Sequence, residues 1–314
     1  MSPVPVPPHV FQISSGEVRY SAFARSNGSS TRPPGLEAGA VLQVGLPEDT
    51  FGTGPLGGTV REASGLDRAL EELVRGAGSG LKGASLVVPD RWFRLLFTDS
   101  EKVPKRDREE IWRWKLKSLV PFRVEDLRVQ GVAVSAVAPT EGGIERVLLA
   151  FAVEQLMREL EEAFERRGIH VGQITSRSLA LLNLLSQRGE NAIIVQVDED
   201  GYSTFFLSGS APVLVRYRAV ALEPWSTEVE DDLLRDFRIT RSFLNESLPG
   251  VRFGRGLFCG PPSALENWGR VLEESFEVTT HLLGPEDLPV VGAPADTDWH
   301  RLAPMVAAAA LEIT

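Results

Sequence analysis

The residue types able to do chemistry are scattered along this chain, so each grouping stands or falls by its spacing. Gly78, Gly80 and Gly83 spell G-x-G-x-x-G. A dinucleotide pyrophosphate needs that spacing between a strand and a helix N-terminus, where free N–H groups meet it. Here Leu66, Ala69, Leu70, Leu73 and Val74 have helical spacing before the glycines, and residues 84–88 form an apolar, strand-like run after them. The order is reversed, and the glycines read as a connecting loop. Lys82 makes no P-loop, because Leu81 precedes it and Gly83 follows it. No G-x-S-x-G elbow occurs, and Gly209-Ser210 belongs to a hairpin turn. His9, His170, His281 and His300 are too far apart to suggest a metal set, and structural zinc needs several close Cys or His ligands. Cys259 is the one cysteine. It can form no internal disulfide and reads as a buried structural thiol. Glu228, Glu230, Asp231 and Asp232, with Asp236 beyond, read as the solvated start of a helix, where carboxylates meet the positive end of the dipole. No catalytic residue and no metal ligand set emerges from these groupings.

Composition narrows the function classes further. Of 314 residues, 43% are hydrophobic and 24% charged, as in an ordinary globular protein, and the length suggests two domains. The net charge of −10 speaks against a nucleic-acid binder and against electrostatic docking on anionic lipid. Pro3, Pro5, Pro7 and Pro8 suggest an extended leader rather than a secretory signal. No apolar run approaches the ~20 residues of a membrane span, so any membrane association is expected through a partner.

The elements that must position any site follow from periodicity. A hairpin is expected over residues 9–24, turning at Ser14-Ser15-Gly16, then a loop over 26–39 and a strand at 41–44. The helix at 66–74 and the strand at 84–88 precede a strand at 93–97. A helix follows at 109–119, then strands at 127–137 and 146–152. Helix 153–167, capped by Gly168, strand 171–174 and helix 178–185 complete this half. A second unit starts near Asn191 with strands at 192–197, 203–207 and 212–217. It continues with a helix at 228–245, a strand at 256–259, a helix at 263–274, a strand near 276–279 and an Ala-rich closing helix. Each half thus runs from hairpin strands into helix–strand alternation, which predicts mixed sheets covered by helices. The halves share no defensible sequence repeat. Trp112 and Trp114 stand two apart on one helix and cannot share a face, so at least one points to a surface or a subdomain boundary.

Several segments resemble the type IV pilus assembly protein PilM family. They are 84–89 (ASLVVP), 109–114 (EEIWRW), 119–122 (LVPF) and 125–127 (EDL), followed by 147–152 (VLLAFA), 168–174 (GIHVGQI) and the long helix at 228–243. Together they span nearly the whole chain, with the middle stretch the most specific. The family is similar in fold to FtsA and to the cytoplasmic part of the secretion protein GspL. The resemblance implies an α/β, actin-like, two-lobed fold with mixed sheets. The first lobe would cover 1–190, with an inserted subdomain at about 92–152, and the second lobe 191–314. It implies a cytoplasmic scaffold of a type IV pilus, or type II secretion-like, inner-membrane assembly platform. That scaffold would be held at the inner membrane by a PilN-like membrane protein, with the pilus assembly motor ATPase as a further partner and with neither nucleic-acid binding nor direct membrane insertion. Trp112, Trp114 and Phe122 are the candidate partner contacts.

Nucleotide-binding relatives carry an Asp-x-Gly turn in each lobe, where backbone N–H groups grip phosphate and the acid helps to hold the metal. The matching places here are Ser14-Ser15-Gly16, without an acid, and Asp198-Glu199-Asp200-Gly201, with two extra acids. The adenosine turn is matched by Cys259-Gly260-Pro261-Pro262, where the prolines lack an N–H. Asp198, Gly201 and Gly260 are therefore the cofactor-site candidates, in a nucleotide site expected to be eroded. No cofactor is expected; ATP with Mg, in an actin-like ATPase or kinase-related enzyme, is the alternative.

Overall fold

Short apolar runs, alternating with turns rich in Gly and Ser, build two sheets from one repeated order of elements. The computed structural model describes residues 8–26, 35–52, 56, 59–78, 80–121, 123–134, 144–222, 224–291 and 297–310. The first sheet opens with the antiparallel hairpin β1 (His9–Ile13) and β2 (Glu17–Ser26). β3 (Gly35–Ala38) and β4 (Leu42–Gly45) both pair antiparallel with β2. Helix α1 (Ala63–Ala77) leads through Gly78 and Gly80, both at positive φ, into β5 (Gly83–Val88), which lies parallel to β1.

An insertion follows. β6 (Arg94–Glu101), helix α2 (Arg108–Leu116), β7 (Leu127–Val134) and β8 (Ile144–Val153) make an antiparallel sheet of order β6-β8-β7 with its own core. In that core Trp112 and Leu116 of α2 pack with Leu127, Val129, Val147 and Leu149. Helix α3 (Glu154–Glu165), β9 (His170–Ser176) and helix α4 (Arg177–Ser186) return the chain to the first sheet, whose order is β3-β2-β1-β5-β9.

The second lobe repeats the plan without the insertion. β10 (Ala192–Asp198), β11 (Gly201–Ser208) and β12 (Ala211–Ala219) form an antiparallel meander. Helix α5 (Thr227–Ser247), β13 (Arg255–Cys259), helix α6 (Leu265–Phe276) and β14 (Thr280–Leu282) add parallel strands, giving the order β12-β11-β10-β13-β14. Helix α7 (Trp299–Ala310) ends the described chain. The repeat absent from the sequence is thus present in the topology.

The last helix of each lobe lies between the two lobes and packs on strands of both. α4 packs against β11 and β12 of the second lobe, α7 packs against β1 and β5 of the first, and the two helices pack on each other. Ala307 and Ala308, fully buried, keep α7 narrow enough for this, in one core with Val10, Val87, Leu181, Ile194 and Phe205. Pro304, inside α7, lacks the N–H that would bond to the His300 carbonyl. The buried Cys259 thiol donates to that carbonyl instead, at 3.8 Å.

Two elements depart from the sequence expectation. β3 falls inside the stretch read as a loop, because its pairing comes from β2 and from Pro289, whose carbonyl accepts from Leu36 N, and local sequence encodes neither. β14 begins at Thr280 rather than near 276, because α6 runs on to Phe276 and Glu277 caps it in the left-handed region at φ 60°.

Candidate functional site

Two regions bring polar side chains or open sheet edges together. In the first, the turn between β1 and β2 meets the turn between β10 and β11 across the lobe boundary. Each acid of the second turn is held by a group preceding β10. Ser15 Oγ donates to Glu199, and Arg177, at the start of α4, pairs with Asp198. Arg91, just after β5, pairs with Asp200 Oδ2 at 2.9 Å. Tyr217 OH also donates to Asp200, at 3.3 Å. Burial, then the Asp200 charge, raises the Tyr217 pKa and keeps the phenol protonated.

Beneath the turns lies Asp90, fully enclosed. Its Oδ1 accepts from the Ser178 backbone N–H at 2.9 Å and its Oδ2 accepts from Ser203 Oγ at 2.8 Å. One carboxyl therefore joins the end of β5, the first turn of α4 and β11. It supplements Ser176, whose hydroxyl caps the same helix by accepting from Leu179 N. Burial first, then the nearby Asp198 charge, raises the Asp90 pKa.

Arginines crowd the same space. Arg19 on β2 is buried and paired with Glu17. Burial, then the charges of Arg301 and Arg177, push its pKa down to about 10, against the opposing pull of Asp298 and Glu199. Arg301 pairs with Asp298 at 3.2 Å. Asp198 Oδ2 and Arg177 Nε are buried without hydrogen-bond partners. The acids and bases here pair with one another across the boundary.

Asp198 lies in that network. Gly201 follows in the same turn, where a Cβ would strike the Arg218 carbonyl of β12, so sheet packing alone requires glycine there. Gly260 directly follows β13, and an added methyl would meet the Phe258 ring at 2.5 Å. The structure brings in Asp90, Arg91, Arg177 and Ser203, which sequence reasoning missed. Their partners lie up to 113 residues away, and the one local signal was an acid directly after an apolar strand and a proline.

The second region is a groove of about 1090 Å³ between the insertion and the first sheet. Gln130 and Val132 on β7 line one wall, Val171, Gln173 and Thr175 on β9 the other, and Asn183 of α4 contributes to the lining. β7 and β9 each end the strand order of their sheets, so two sheet edges face this space. Arg128 secures it: both its terminal nitrogens and Nε reach Glu154 and Glu161 of α3, at 2.5 to 3.0 Å. The Arg128 guanidinium holds the Glu154 carboxyl below its usual range. Gln173 Oε1 is buried without a partner.

The aromatic candidates lie elsewhere. Trp112 is 7% exposed in the insertion's core, while Trp114 on the same helix is 73% exposed; neither lines the groove. Phe122 lies outside the described residues. No described helix is long and apolar enough to cross a membrane.

The sequence matches no family model and no curated protein. Solved structures are more informative. A chain of a PilM-PilN type IV pilus biogenesis complex is 17% identical, with a TM-score of 0.74 over 98% of this chain and 97% of that one. A Bacteroides thetaiotaomicron protein with an actin-like ATPase fold and unknown function is 11% identical, with a TM-score of 0.54 over 88% of this chain and 90% of that one. The chain therefore has the actin-like, two-lobed α/β fold, with mixed sheets and a subdomain inserted in the first lobe.

Proposed function

We propose that this chain is a scaffold of a type IV pilus, or type II secretion-like, assembly platform that captures the cytoplasmic segment of a PilN-like inner-membrane protein. The observation that carries this reading is the groove between the β7 and β9 edges, on a fold shared with a chain of a PilM-PilN complex. An extended peptide gains main-chain hydrogen bonds at a sheet edge and specificity from side-chain pockets. The chain would act in the cytoplasm, held at the inner membrane by that partner. Calorimetry with a synthetic N-terminal segment of the neighbouring PilN-like protein tests this. Val132→Glu, at a position 56% exposed, is expected to weaken binding about tenfold with the fold intact. Absence of binding to the unaltered chain, or indifference to the substitution, rejects the groove.

The residues where the two turns meet fit ATP with Mg poorly. Asp198, Glu199 and Asp200 are engaged by Arg177, Ser15 and Arg91, and the first turn offers no acid for a metal. This supports a scaffold whose lobes close on each other without nucleotide. A ligand at a hundred times its Kd stabilises a protein by ~2.7 kcal/mol. A thermal midpoint unmoved by millimolar Mg-ATP is therefore expected, and a rise abolished by Asp198→Ala would reject this reading.

A further inference from the structure

The chain carries −10 overall, but one stretch runs against that balance. Residues 113–123 hold Arg113, Lys115, Lys117 and Arg123 and no acid. They start on the last turn of α2 and continue into the bend after it, where Leu119 and Val120 both donate their N–H groups to the Leu116 carbonyl. The buried stripe of this helix, Trp112 and Leu116, belongs to the insertion's core. The rest points outward: Trp114 is 73% exposed, Leu119 is 53% exposed, and Lys117 is exposed. Trp114 and Lys117 are three residues apart, which puts them on one helix face. Arg113 is paired with Glu109 at 2.9 Å and Arg123 reaches Asp126 only at 3.7 Å. Among the described residues, neither Lys115 nor Lys117 meets a carboxylate, and Lys115 donates to the Asp99 carbonyl. Water is a poor solvent for an exposed indole, and lysines beside it select a partner of negative charge.

We propose that this ridge of the inserted subdomain rests on the headgroups of an anionic lipid bilayer. A specific protein interface covers ~800 Å² on each partner and needs a matching surface. The ridge is one helical turn and a bend, with few large apolar groups. Headgroups require no matching pocket: an indole sits at their level, and lysine reaches the phosphates. The acidic remainder of the chain would be repelled by the same surface, so the ridge also orients the molecule. Each cation held near such a surface raises partitioning about fivefold. The contact is interfacial and spans nothing. It goes beyond the peptide-docking reading and requires no peptide.

Sedimentation with vesicles tests it, using the full chain without any partner. The chain is expected to pellet with phosphatidylcholine vesicles that contain phosphatidylglycerol and to remain in solution with phosphatidylcholine alone. Binding should vanish near 1 M salt, where charges are screened beyond ~3 Å. Lys117→Glu should lower partitioning about tenfold or more, since it removes one cation and adds an anion. Trp114→Ser should lower it severalfold. Both positions are exposed, so the thermal midpoints should not move. Three results would overturn the proposal: no pelleting of the unaltered chain with anionic vesicles, pelleting that neither substitution reduces, or a dimer of the chain that both substitutions break while vesicles are ignored. The last would assign the ridge to a second copy.

Discussion

Trp112 and Trp114 are two residues apart and chemically identical, yet truncating them should give opposite results. Trp112 is 7% exposed, and its indole lies over Gly131 of β7, where an added methyl would meet the ring at 3.0 Å and Leu149 at 2.7 Å. A buried indole hides ~200 Å² of surface. At ~25 cal/mol/Å² that is ~5 kcal/mol of transfer free energy. Its Nε1–H is buried without a partner, which returns ~1–3 kcal/mol. Trp112→Ala is therefore expected to cost ~3–5 kcal/mol once the cavity is included. Trp112→Phe, which removes the orphaned N–H, should cost less than half of that. Trp114→Ala should stay within ~0.5 kcal/mol, as surface changes do. Gly131→Ala should resemble a milder Trp112 lesion, because it pushes on the same ring. The assay is the denaturant midpoint at constant slope, followed by circular dichroism. A loss below ~1 kcal/mol for Trp112→Ala, or equal losses at both tryptophans, would refute the packing argument.

The interlobe network gives the remaining expectations. With Asp90 raised by burial, the folded state holds its proton more tightly than the unfolded chain, so stability should fall as pH rises from the ordinary carboxyl range, near ~4, through the raised value. Asp90→Asn, which can still accept from Ser178 N and donate to Ser203 Oγ, should flatten that slope; an unchanged slope in thermal melts across pH would remove Asp90 as its source. A double-mutant cycle of Arg91→Ala and Asp200→Ala should give a coupling of ~1 kcal/mol that shrinks in salt, since both side chains are partly solvated; zero coupling would mean that the pair does not hold the lobes. Gly201→Ala should destabilise by at least ~2 kcal/mol, because the new methyl strikes the Arg218 carbonyl; a neutral result by calorimetry would show that β12 yields there.

Element identity was largely legible because most segments have an unambiguous period. Leu156, Leu160, Ala163 and Phe164 mark α3 by spacing alone, and the short apolar run 192–195 reads most simply as a buried strand, which it is. β3 was not legible, since four residues beside Gly and Pro carry no period and owe their conformation to β2 and Pro289. The site was legible where it is local and hidden where it is not. The Asp198–Gly201 turn announces itself as acids followed by glycine. Asp90 does not, because its meaning lies in Ser178 and Ser203, which approach it only after both sheets have formed. The acidic cluster at the start of α5 has the pattern of a solvated helix start, but Asp236 accepts from Tyr202 OH and pairs with Arg216, both at 2.9 Å. The tryptophan spacing requires the two side chains to diverge; the packing of α2 on β7 and β8 decides that Trp112 faces in.

The packing of α4 and α7 between the lobes has a consequence for a chain made from its N-terminus. One face of β1 and β5 is covered by α7, whose first residue is made 211 residues after β5 ends. At ~5–20 residues per second on the ribosome, that face has only α4 against it, and lacks α7, for much of roughly ten to forty seconds. Val10 and Val87, fully buried in the finished molecule, wait through that interval for partners at the far end of the chain. The first half is thus complete as a sheet well before it is complete as a folded body. A nascent chain halted before Trp299 should present that apolar face to chaperones, and release of the last helix should end the association.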